Sequence, residues 1–193
     1  ENADFAQAVM DAGLTWVGDG SANLWDTTTP NWSGDATLFS ANDNVTFTDS
    51  GSATPAIDLV GGISPNFITV NAAQDYTIGT TTSGSIGGSA SLTKSGTGKL
   101  TLSTVNSFTG KTTVTGGTLS VAGISNLGAA PAVFTADQLT LNGGTIEITG
   151  SGSSAANRGT TLGASGGTFS IPTAVDFVNT PITTGPGSLT KVG

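Results

Sequence analysis

Short runs in which apolar and polar residues alternate, bounded by Gly, Asn, Ser or Pro, recur from Leu14 to Ile171. A period of two belongs to a strand with one buried face. It predicts strands over Leu14–Val17, Asn44–Thr48, Phe67–Val70, Tyr76–Ile78 and Lys99–Ser103. The same pattern follows at Thr112–Thr115, Thr118–Val121, Gln138–Leu141, Thr145–Thr149 and Thr168–Ile171. In LTLS, Leu100 and Leu102 would face the core while Thr101 and Ser103 face water. One segment has a different period. Phe5, Ala8, Val9 and Ala12 fall at i, i+3, i+4 and i+7, with Asn2 as N-cap and Gly13 as stop, and predict a short helix over residues 2–12.

The strands are punctuated by a repeated corner. Gly-Gly-Thr-apolar-x-apolar occurs as GGTLSV from Gly116, GGTIEI from Gly143 and GGTFSI from Gly166. With two further Gly-Gly pairs at Gly61 and Gly87, successive pairs lie 26, 29, 27 and 23 residues apart. A period of this size marks stacked units, none of which buries its apolar face alone. A sandwich gives no reason for identical corners once per unit, whereas a parallel β-helix sets each corner above the last. The reading is therefore all-β, with roughly seven coils making a rod on the order of 35 Å long at about 4.8 Å per rung. The helix at the start is placed to cap its first coil. A phosphate-binding Gly loop needs a helix behind it, and no helical periodicity follows these pairs.

Composition narrows the chemistry. Only 9% of the 193 residues are charged while 36% are apolar, so polarity comes from 34 Thr and 29 Gly with Ser and Asn, as a folded strand-and-turn protein requires. With no His and no Cys, imidazole catalysis, thiolate chemistry, disulfides and nearly all zinc sites are excluded. Ten of the thirteen acids lie within residues 1–75, the first cation is Lys94, and the net charge is −8. That balance argues against nucleic acid or an anionic membrane surface as partner. No apolar run approaches the roughly 20 residues of a membrane span.

The stretch SLTKSGTGKLTLSTVNSFTGKTTVTGGTLSVA, from Ser91 to Ala122, resembles the autotransporter-associated β-strand repeat, whose usual form is LTKxGxGxLTLSGxNxYTGxTTVxxGTL. NRGTTLGASGGTFSI from Asn157 and GPGSLTKVG from Gly185 resemble the rest of such a unit and the opening of the next. LTWVGDGSANLWDTTTPNW from Leu14 is similar to the Trp-containing segment that precedes these repeats. Phe108 replaces the usual Tyr and keeps an aromatic. The resemblance implies a right-handed parallel β-helix in a secreted or surface-displayed bacterial protein, often an autotransporter passenger or adhesin stalk, and does not imply an enzyme. The chain divides accordingly into a helical cap over residues 1–13 and one solenoid over 14–193, with Trp-containing coils over 14–90 and the repeat region over 91–193.

Candidate sites are few. Trp16, Trp25 and Trp32 either stack on sugars or fill the first coil. Asp19, Asn23 and Asp26 form one oxygen-rich loop and Asp43 and Asp49 another. Both invite calcium, although Leu24 and Pro30 break the EF-hand pattern and Asx turns are the simpler use. Asn106, Asn126, Asn142 and Asn157 recur near corners and suggest stacked amides. Outward threonines of LTL, TTV and GGT could make a flat array resembling an ice-binding face, but a TxT spacing is not maintained from coil to coil. The three acids of the repeat region with Arg158 make no hydrolase or lyase constellation, so no catalytic residue and no cofactor is expected. The expected function is a stalk or assembly module outside the cell. Its partners would be itself, through end-to-end stacking of coils, or a surface glycan or protein receptor; the alternatives are a filament subunit and a carbohydrate-binding module.

Overall fold

The structure, a computed structural model, describes residues 12–51, 55–178 and 183–193. Two long sheets run side by side. The first stacks Gly13–Trp16, Asn44–Phe47, Phe67–Asn71, Ser91–Ser95, Thr112–Val114, Thr135–Leu141, Arg158–Leu162 and Thr183–Thr184, each parallel to the next. The second stacks Leu24–Trp25, Ala56–Leu59, Tyr76–Gly79, Lys99–Leu102, Thr118–Val121, Thr145–Ile148, Gly167–Ser170 and Leu189–Val192 in the same way. The chain passes from one sheet to the other and back, so it winds as a parallel β-solenoid. There are about six full turns with a partial one at each end, against roughly seven expected. A third side carries only two short parallel pairs, Gly62–Ile63 with Ser85–Ile86 and Gly152–Ser153 with Phe177–Val178. Among the described residues the only helical turn is a 3-10 turn, Ile124–Leu127. The helix expected over residues 2–12 lies, except for Ala12, outside the described residues.

Side-chain alternation explains why these segments stack. On the second sheet Tyr76, Leu100, Leu119, Ile146 and Phe169 stand in one inward column, and Ile57, Ile78, Leu102, Val121 and Ile148 in another. All of these side chains are buried. A one-residue slip would turn every one of them to water, which fixes the register. Each strand alone has nothing to pack against, so burial is gained only by adding a coil.

The three Gly-Gly-Thr corners do lie above one another, with Thr118 opposite Thr145 and Thr145 opposite Thr168. Each uses one glycine with positive φ: Gly117 at 57°, Gly143 at 105° and Gly166 at 69°. The upstream pairs belong elsewhere. Gly62 lies opposite Ser85 on the third side, and Gly87 follows that side, so the first two spacings do not measure the same corner. In the coil before Thr118 the equivalent turn is Gly96-Thr97-Gly98, since Lys99 pairs with Thr118.

The N-terminal end of the first sheet is closed differently. Trp32–Gly34 pairs antiparallel with Gly13–Trp16, setting Leu14 opposite Gly34 and Trp16 opposite Trp32. This return strand covers an edge that would otherwise be open to another chain.

Candidate functional site

The three tryptophans converge on the inside of that closed end. Trp16 and Trp32 meet edge to face at 4.9 Å, Trp25 and Trp32 at 5.3 Å, and Trp25 lies 5.5 Å from Phe47, which lies 5.5 Å from Tyr76. Trp16 and Trp25 are 0% exposed and Trp32 2%. No ring face is presented to solvent, so in this fold a sugar has no platform on them. The sugar-stacking expectation for Trp16, Trp25 and Trp32 is corrected to a core role, because the return strand Trp32–Gly34 closes this end and the large rings fill the space beneath it.

The oxygen-rich loops are already engaged. Asp19 accepts the amides of Ser21 at 2.8 Å and Asn23 at 2.9 Å, and Asn23 accepts that of Gly20 at 3.2 Å. Asp26 accepts the amides of Thr28 and Thr29 and the Thr29 hydroxyl. Asp43 accepts the Ser40 amide at 2.7 Å. Other carboxylates staple one coil to the next. Asp49 accepts the amides of Ala73 and Gln74 at 2.7 and 2.9 Å, Asp58 the amide and hydroxyl of Thr81, and Asp75 the amide of Lys99 at 2.7 Å. Among the described residues no three carboxylates gather as a metal site would require. Among the described residues the carboxylates of the N-terminal half thus serve backbone donors at turns.

This use of carboxylates makes stability depend on pH. Amides of Asn23 and Ser21 hold Asp19 below the usual carboxylate range. At Asp26 burial pushes the other way and the Thr28 and Thr29 bonds outweigh it. The Ser120 hydroxyl and Lys99 lower Glu147, and Lys111 lowers Asp137. Folded values below unfolded ones mean that the contribution is complete above the unfolded pKa of about 4 and is lost as pH falls through the folded values. The urea midpoint followed by circular dichroism should be level from about pH 7 to 5 and fall below about 4. A midpoint unchanged down to about pH 2.5, where the same carboxylates of the unfolded chain are mostly protonated, would deny them this role.

Cations occupy two kinds of place. Lys99 pairs with Glu147 at 3.0 Å and Lys111 with Asp137 at 2.6 Å, both on the outside and both between coils. Lys94 lies inside, 1% exposed, in an inward column otherwise made of Phe47, Val70, Val114, Leu141 and Leu162. Its ammonium donates to the carbonyls of Ser95, Gly96 (3.0 Å) and Gly116 (3.4 Å), filling the corner where two glycine turns leave oxygens facing in. Burial lowers its pKa against the opposing pull of Asp75. Alternation alone places Lys94 inward, two residues after Leu92, yet its charge suggests the opposite face.

Amides repeat the theme at the corner after the second sheet. Asn106 accepts the Ile86 amide at 2.9 Å and donates to the Asn126 carbonyl at 2.7 Å. Asn126 in turn donates to the Thr104 carbonyl at 2.6 Å. These two buried amides link three coils, while Asn142 accepts the Ser165 amide and Asn157 donates to the Pro131 and Ala132 carbonyls at other turns.

Sequence spacing misses a feature that register reveals. Thr15, Thr46, Thr69, Thr93, Thr113, Thr140, Thr161 and Thr184 stand opposite one another in a single unbroken outward column along the first sheet. The variable length of the turns hides it, and counting from strand centres recovers it. The column is a row of hydroxyls with no charged member.

Residues 92–121 match the family model described as passenger-associated-transport-repeat. That stretch is similar to one passenger-associated transport repeat. The matched residues hold the strand with Lys94, the Gly-Thr-Gly turn, the LTL strand, Asn106 and the first Gly-Gly-Thr corner, which are the parts that make one coil fit the next. Among curated proteins the chain is similar to the adhesin BmaC autotransporter of Brucella suis biovar 1 (strain 1330), 34% identical over 114 residues. That match covers 56% of the chain and 3% of the adhesin. No solved structure gives a significant match. A passenger repeat in a solenoid similar to part of an adhesin belongs outside the cell, secreted or at the cell surface.

Proposed function

We propose that this chain is a spacer module of a secreted, adhesin-type bacterial protein, a right-handed rod that holds other parts of the protein away from the surface and catalyses nothing. The observation that carries this reading is the continuous parallel stacking of both sheets from Gly13 to Val192, with a single register shift inside Thr135–Leu141. Such a ladder resists bending and extends by about 4.8 Å per coil. The exterior supports it: the outer carboxylates Glu147 and Asp137 are paired with lysines, and the first sheet presents hydroxyls. Recognition of a glycan or protein receptor then falls to other parts of the parent protein.

Self-assembly through coil ends is the competing reading. The antiparallel strand Trp32–Gly34 weighs against it, because it occupies the edge on which an incoming parallel strand would have to dock. Small-angle X-ray scattering over a concentration series separates the two. A rod of constant maximum dimension, on the order of 40 Å plus its end loops, is expected at every concentration. Length growing with concentration at constant cross-section would replace the spacer with a filament subunit.

A further inference from the structure

The second sheet begins with a short strand. Leu24–Trp25 pairs only with Asp58 and Leu59 of Ala56–Leu59, so among the described residues Ala56 and Ile57 have no strand on their N-terminal side. A cavity of about 460 Å³ opens there, within the range of sites that hold a ligand group. Ser21 and Ala22 of the preceding loop wall it, and Ala56, Thr77 and Gly79 line it from the outer face of the sheet, where Ala56 stands opposite Thr77 and Asp58 opposite Gly79. No aromatic ring lines it, so nothing in it stacks on a sugar.

Asp58 gives the cavity its charge. One carboxylate oxygen accepts the Thr81 amide at 2.8 Å and the other the Thr81 hydroxyl, both at the surface, so Thr81 fixes the group while leaving it accessible. A carboxylate has about four acceptor positions, and two remain. Thr81 already bridges the two oxygens as a guanidinium fork would, which leaves positions suited to a single ammonium. No cation compensates Asp58: it has no ion pair among the described residues, the first lysine of the chain is Lys94, and ten of the thirteen acids lie within residues 1–75. The field over this half therefore draws cations in. The small residues Ala56 and Gly79 leave room beside the carboxylate for an aliphatic stem.

We propose that this cavity docks a lysine side chain of a partner protein, with its ammonium on the Asp58 carboxylate, its methylenes along Ala56 and Gly79, and the hydroxyls of Ser21 and Thr77 offering neutral hydrogen bonds. Residues 1–11 of the chain carry three acids and no cation, so their charge does not suit the place. The contact is on the flank of the rod. It goes beyond the spacer role, which rests on stacking of the sheets, and its failure would leave that role standing.

The probe is Nα-acetyl-lysine methylamide, with its Nε-acetylated counterpart as the neutral control. Nitrogen–proton correlation spectra of the native chain are followed in low-salt buffer, where screening is weak, up to about 20 mM probe, which is saturating for a millimolar contact. The amide signals of Ser21, Asp58, Thr77 and Thr81 should move saturably with the lysine probe and stay in place with the acetylated one. Asp58→Asn keeps an acceptor for Thr81 and should weaken the lysine response about tenfold. Asp35→Asn makes the same change of net charge elsewhere and should leave the response as it was. No movement, equal movement with the acetylated probe, movement spread evenly over all the aspartate loops, or an equal loss in the two variants overturns the proposal. If Asp58→Asn does not fold, the comparison of the two probes on the native chain decides alone.

Discussion

Trp25→Ala is expected to lower the stability of the chain by about 3–5 kcal/mol, the range for removing a large ring from a packed interior. Trp25 is 0% exposed and meets Trp32, Phe39 and Phe47 at centroid distances of 5.3, 5.7 and 5.5 Å, so its loss empties the centre of the end plug. In a stacked protein the first coil can open by itself. The variant should therefore show either a lower urea midpoint for the whole transition or an early separate transition in tryptophan fluorescence. A change below about 1 kcal/mol, the size of an ordinary surface substitution, would mean that the ring is exposed in solution and would restore its candidacy as a sugar platform.

The second large effect is at the corner glycine Gly117. Its φ of 57° is strained for any residue with a Cβ, by about 1–2 kcal/mol. A Cβ there would also stand 2.4 Å from the Gly98 oxygen and 2.6 Å from the Gly96 oxygen, both backbone of the preceding coil, and 2.8 Å from the buried ammonium of Lys94. Overpacking of this kind adds about 1–3 kcal/mol. Gly117→Ala should thus cost about 3 kcal/mol and spread the two coils at the Lys94 corner. Gly62→Ala is the control, because Gly62 lies in a third-side strand where an added Cβ would meet nothing within 4 Å, and it should stay within about 0.5 kcal/mol. Equal losses in both variants, read from urea midpoints at constant slope, would show that the effect is general to glycine and not to the corner.

The solenoid is legible in the sequence because two independent periodicities agree: alternation within strands and recurrence of Gly-Gly-Thr between them. Leu100 and Leu102 face inward as their spacing requires, and Thr118, Thr145 and Thr168 stack as their motif requires. What stays hidden has physical causes. Strand Ala56–Leu59 alternates, Ile57 and Leu59 inward and Asp58 outward, but it is only four residues long, follows a proline and carries an aspartate, a residue strands disfavour. The Gly61 and Gly87 pairs imitate the repeat because any sharp turn favours glycine, whichever corner it makes. Lys94 and Arg158 sit inside although they are cations, since carbonyls left by turns can solvate a charge that composition assigns to the surface. The aspartates look like ligand sets because Asx turns and metal loops draw on the same residues.

The parallel ladders have a consequence for how such a chain acquires its shape. Paired residues on neighbouring strands lie only 19 positions apart at the shortest, Lys99 with Thr118, and 34 at the longest, Leu24 with Asp58. No coil waits for a distant part of the polypeptide, and no disulfide has to close. A segment delivered gradually from a narrow exit finds its template in the coil just finished, so winding can keep pace with delivery and draw the chain forward as each rung locks.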